Sequence, residues 1–172
     1  MGRPVFIPLA FGALGGAVAA LLTAGCASSD LSNDAEINRE VVECLPTDAP
    51  APSMIARAIW FPNARGFGST DASPLGHVSG VLVLADDKLW FMSWNDAERH
   101  FDVLRVIAFL RATTVAVARS GPAAMLVIQS GNLSFDSFEL MKGGQFSSDP
   151  AVTQALCDKL QALRAKAPPV DF

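Results

Sequence analysis

The sequence of 172 residues predicts a mainly β domain of antiparallel strands closed by a C-terminal helix, behind an N-terminal export segment. Three observations carry this. Short apolar runs separated by turn residues recur from Met54 to Leu140, each of strand length. Val152, Leu156, Leu160 and Leu163 then stand at helical spacing, on one face of a single helix. Between Arg3 and Asp30 there is no charge, although 17% of the whole chain is charged. With 51% hydrophobic residues and a net charge of −4, the chain is too apolar to be largely disordered. Its 13 basic residues face 17 acidic ones and form no block, which argues against a nucleic-acid partner.

At the N-terminus, Arg3 and the terminal amine make a short positive region, followed by an apolar run from Val5 to Thr23. Small residues precede a cysteine in Leu22-Thr23-Ala24-Gly25-Cys26, which resembles the lipobox of bacterial lipoproteins. That resemblance implies that 1–25 is a signal peptide cut after Gly25, and that Cys26 carries the lipid. Acyl chains on Cys26 would then hold the protein to a membrane. Thr23 stands where Leu is commonest in the family, with Leu22 one place earlier. Ala27, where Asp would retain a lipoprotein in the inner membrane, implies the outer membrane with the domain facing the periplasm. The apolar run is also close to the ~20 residues that span a bilayer. An uncleaved inner-membrane signal anchor is therefore the alternative, weakened by Pro8, Gly12, Gly15 and Gly16.

Residues 26–53 read as a tether, a short helix and a linker. Ile37, Val41 and Cys44 with Leu45 are spaced for a helix over Asp34–Leu45, Pro46 ends it, and Pro50 and Pro52 make the linker. Removing Arg3 with the signal leaves 12 Lys and Arg against 17 Asp and Glu, a mature charge of −5. Of the 3 cysteines, lipidation of Cys26 leaves Cys44 and Cys157, and an even remainder in an exported chain predicts a disulfide between them.

The domain proper is 54–172. Its strands are expected at Met54–Phe61, His77–Ala85, Lys88–Trp94, Arg99–Val103, within Val106–Arg119, at Ala123–Gln129 and at Leu133–Leu140. Asp86-Asp87 and Gly131-Asn132 mark hairpin turns. Asp149 and Pro150 open the final helix as cap and first-turn proline, and Pro168-Pro169 stops it. The segment Gly80-Val81-Leu82-Val83-Leu84-Ala85-Asp86-Asp87-Lys88-Leu89-Trp90-Phe91 resembles the second and third strands of GRAM and bacterial PH-like domains. The resemblance implies a seven-stranded antiparallel bent barrel capped by the C-terminal helix, acting as a non-enzymatic binding module.

Side chains that could carry chemistry are sparse. No Cys-x-x-Cys or His-Glu-x-x-His is present, and no metal or cofactor is expected. The long loop 62–76 holds Ser69, Asp71 and Ser73, and His77 follows it; these are the residue types of a hydrolytic triad, but in no Gly-x-Ser-x-Gly setting. A small envelope hydrolase using this loop is one alternative, and a carrier of a small apolar ligand is another. Arg57 and Arg65 are too few for the headgroup site of lipid-binding PH domains. Trp90, Met92 and Trp94 alternate along one strand and so share a face, opposite Leu89 and Phe91. If open, that stripe is a surface for an envelope protein partner; otherwise the Asp34–Leu45 helix covers it.

Overall fold

The computed structural model describes residues 34–63, 76–131, 134–143 and 147–167. A helix, α1 (Asp34–Cys44), precedes the strands β1 (Met54–Pro62), β2 (Val78–Ala85), β3 (Lys88–Asn95) and β4 (His100–Ile107). A single 3₁₀ turn at Phe109–Arg111 leads into β5 (Thr114–Ser120), β6 (Ala123–Ser130) and β7 (Ser134–Leu140), and α2 (Pro150–Lys166) closes the chain. All seven strands form one antiparallel sheet in the order β4-β3-β2-β1-β7-β6-β5. No helix among the described residues is long and apolar enough to cross a membrane.

Side-chain alternation sorts the sheet into two faces. On the inner face Leu82 sits opposite Phe91 and Leu84 opposite Leu89, and on the outer face Val81 sits opposite Met92 and Val83 opposite Trp90. One core collects Phe91 from β3, Ile107 from β4, Val115 from β5, Leu126 from β6 and Phe138 from β7. Residues from both edge strands meet there, so the sheet must curl into a bent barrel. Phe91 lies between Trp60 and Phe138, with ring centroids at 5.4 and 5.8 Å.

The barrel's open side is filled by α2. Asp149 caps it, its carboxylate accepting from the Val152 amide at 3.1 Å, and Pro150 occupies the first turn, where its missing N–H costs nothing. Leu156, Cys157 and Leu160 enter the core, and Leu163 packs at its border. Val152, expected on the buried stripe, is instead exposed, and Thr153 is buried with its hydroxyl donating to the Asp149 carbonyl. The helix thus enters the core one residue later than the spacing suggests.

Two strand expectations are revised. β4 runs on to Ile107 instead of ending at Val103, and the Phe109–Arg111 turn divides the long stretch to Arg119. A bulge explains the longer strand: Val103 pairs with Met92 and Arg105 with Phe91, leaving Leu104 as the extra residue. The bulge breaks strict alternation, and alternation was the sequence signal.

Gly80 on β2 is fixed by contact. A Cβ there would collide with the Met92 carbonyl and the Phe91 ring, both on the facing strand. Gly80→Ala is expected to destabilise the domain by about 1–3 kcal/mol through overpacking, measured by urea unfolding.

Candidate interaction surface

Trp90, Met92 and Trp94 stand on the outer face of β3, outside the barrel core. They join Val81, Val83 and Phe101 in a second apolar cluster, closed from above by Ile37 and Val41 of α1 with Cys44 and Leu45 at its border. Met92 is wholly buried, and both tryptophans are half-buried. Trp94 meets Phe101 edge-on at 5.2 Å, and the Lys88 ammonium lies 5.9 Å from the Trp90 ring centroid. Of the two readings of the Trp90, Met92 and Trp94 stripe, an open partner surface or cover by the chain's own first helix, the structure has the helix: α1 packs on this face, with Met92 buried and both tryptophans half-buried. Asp34, at the start of α1, accepts from Arg57 Nε on β1 at 3.0 Å and ties the cover to the sheet.

Apolar surface remains beside this cover, on β4. Val103, Leu104 and Val106 are 37%, 45% and 42% exposed. Val103 and Val106 share the outer face with Met92 and Trp90, to which they are registered. β4 is also an end strand of the sheet, with no strand beyond it among the described residues. The opposite end strand, β5, is served by α2: Gln161 donates to the Val115 carbonyl at 2.9 Å, and Arg164 to the Ala112 carbonyl at 2.7 Å. One edge of the sheet is dressed by side chains of α2, and the other, with α1 packed on its face, still presents three exposed apolar side chains and no partner strand among the described residues. An edge of that kind is a template for pairing with another chain.

Polar side chains cluster at two places. Inside the barrel, Asp136 on β7 is 2% exposed. It accepts from Trp60 Nε1 at 3.0 Å and from Arg105 on β4 at 3.1 and 2.8 Å. Arg105 also reaches the Ser134 hydroxyl at 3.4 Å. The carboxylate is thus fully engaged by donors, an arrangement that holds β4 to β7. Where β3 ends and β4 begins, Asp102 lies 2.7 Å from His100 Nε2 and accepts from the Asn95 amide at 2.8 Å. Those two neighbours, Asn95 first, keep its carboxyl below the ordinary range. The Arg105–Asp136 cluster was not visible in the sequence, because the two residues come together only when the sheet curls.

The remaining site expectations fare differently. Cys26, Arg65, Ser69, Asp71 and Ser73 lie outside the described residues, while His77 packs against Phe61 with centroids 5.9 Å apart. The predicted Cys44–Cys157 disulfide is not formed, and both thiols are free. Cys44 borders the outer cluster and Cys157 belongs to the inner one, so the β-sheet separates them. Burial, and then the charge of Asp158, raises the Cys157 thiol above its ordinary range and suppresses the reactive thiolate.

A curled seven-stranded antiparallel sheet whose open side is plugged by a C-terminal helix defines the class of the domain as PH-like. No protein-family description matches the chain, and no curated protein matches it. Among solved structures, it is similar to the N-terminally truncated linker-DH/PH domains of p115-RhoGEF, at 14% identity and a TM-score of 0.47, over 83% of this chain and 37% of that one. A mutant of the p115-RhoGEF DH/PH domains gives 13% identity and a TM-score of 0.49, again over 83% of this chain and 38% of the other. The C-terminal phosphotyrosine interaction domain of mouse APBB2 gives 15% identity and a TM-score of 0.37, over 74% of this chain and 99% of that domain. The chain therefore spans well under half the length of the two exchange-factor structures.

Two substitutions separate covered from open surface. Met92→Ala should cost about 2–5 kcal/mol, and Leu104→Ala should stay within about 0.5 kcal/mol, both measured by chemical denaturation. Arg105→Ala leaves the buried Asp136 carboxylate without its cation, and a loss of about 3–5 kcal/mol is expected in the same assay.

Proposed function

We propose that the chain is a membrane-tethered, non-enzymatic binding module, a lipoprotein whose PH-like domain recognises an envelope protein from the periplasmic side. The observation that carries the binding reading is the undressed β4 edge, with Val103, Leu104 and Val106 exposed along it. Such a strip of apolar side chains beside open backbone suits recognition of another chain. The barrel interior is occupied by Leu82, Leu84, Phe91, Phe109, Leu126 and Phe138, all wholly buried, which favours recognition at the surface over carriage of an apolar ligand inside.

Tethering is supported by the lipobox-like residues before Cys26. Only seven residues, 27–33, separate that cysteine from the first residue of α1. Even fully extended they span no more than about 30 Å. An acylated Cys26 would therefore hold α1, and the β4 strand it packs on, close to the bilayer surface. With a mature charge of −5 the domain gains nothing from anionic lipid, so anchoring would rest on the acyl chains.

Intact-mass measurement of membrane-extracted protein tests the tether. Wild type should lack residues 1–25 and carry acyl mass, whereas Cys26→Ser should retain them and carry none. Identical masses for the two, apart from the substituted atom and with residues 1–25 present in both, would establish the uncleaved anchor instead.

A further inference from the structure

The occupant of the β4 edge can be named from the strand's own pattern, taking as its basis the reading of that side as the docking surface. We propose that β4 pairs antiparallel with β4 of a second copy of this chain, about a two-fold axis between Val103 and Leu104. In a regular strand Asp102 and Arg105, three apart, would point to opposite faces. The bulge at Leu104 changes this. Asp102 is registered with Ser93 and Arg105 with Phe91, and positions 93 and 91 share a face, so Asp102 and Arg105 do too. Phe101 and Val106, registered with Trp94 and Trp90, share the other face.

Antiparallel pairing about that axis then sets like with like and charge with countercharge. Asp102 comes opposite Arg105 of the second copy, Phe101 opposite Val106, and Val103 opposite Leu104. Each contact occurs twice, as an isologous interface requires. Side chains directly opposite in an antiparallel pair interact most strongly, and opposite charges there favour the register while like charges oppose it. Both charged side chains reach the surface, Asp102 43% and Arg105 36% exposed, although Asp102 also meets His100 and Asn95 and Arg105 also holds Asp136. A bulge commonly defends an edge against pairing. Here it aligns the charges that make the edge complementary to itself.

The test is oxidative cross-linking of the full-length chain in its own membrane. Leu104→Cys places a thiol beside the two-fold axis, and Val152→Cys places one on the exposed first turn of α2, away from β4, in a chain with the same native cysteines. Leu104→Cys should yield at least ten times more covalent dimer than Val152→Cys. Adding Asp102→Lys to Leu104→Cys sets like charges opposite each other and should lower that yield several-fold relative to Asp102→Ala, which loses the same His100 and Asn95 contacts without adding the charge. Dimer no greater than with Val152→Cys, or a yield indifferent to Asp102→Lys, overturns the pairing. Labelling by a membrane-impermeant maleimide separates the two ways of failing. A Leu104→Cys thiol that is protected but gives no dimer means that a different protein occupies β4, and the docking reading survives without self-pairing. A freely labelled thiol that gives no dimer removes both.

Discussion

The fold depends on burying β2 and β3 on both faces at once. From Val81 to Ala85 every side chain is buried, and in β3 Leu89, Phe91 and Met92 are likewise fully enclosed. A strand that is apolar on both sides cannot rest with one face in water, because each exposed large apolar side chain forgoes about 1.5–3 kcal/mol of burial. The inner face is satisfied by curling the sheet and plugging it with α2. The outer face has no second sheet to meet, so the chain brings α1 back across it. At 11 residues α1 is too short to persist alone, and its helicity follows from the contact of Ile37 and Val41 with that face. Sheet and cover therefore stabilise each other, and the Asp34–Arg57 ion pair sets where the cover lies.

Curling leaves two sheet ends that no backbone ladder joins, and the molecule treats them differently. At β5, α2 packs alongside and its Gln161 and Arg164 satisfy carbonyls on or just before the strand. β4 is held from within, where Arg105 crosses the barrel interior to the buried Asp136 on β7. That pair acts as a strut between strands four places apart in the sheet order. Its geometry, two donor atoms of Arg105 and one of Trp60 on a single carboxylate, is what makes the burial of a charge tolerable. The strut engages β4 from its inner face, and the outer edge of the strand pairs with no other strand among the described residues.

The architecture was legible in the sequence because it rests on local signals. Turn residues at Asp86 and Gly131 adopt positive φ, as tight hairpins require, and the proline after a capping aspartate marks the start of α2. Alternation along β3 placed Trp90, Met92 and Trp94 on one face, opposite Leu89 and Phe91, without reference to any other strand. The apolar spacing of Ile37 and Val41 marked a helix, and the length of that helix marked it as one that must dock.

What covers what was settled only in three dimensions. Whether the tryptophan stripe meets water or α1 depends on the path of a linker that carries no periodic signal. The two cysteines promised a bridge by their even number, yet a sheet stands between them, and sequence holds no record of which face each approaches. The Arg105–Asp136 strut joins residues 31 apart in the chain, and the bulge at Leu104 reverses which neighbours share a face. By itself the sequence determined where strands, turns and helices begin, because those choices depend on a few adjacent side chains and the backbone they permit. The tertiary structure alone decided which apolar faces are closed and which edge stays open, because burial is a property of the distant residues brought against a surface.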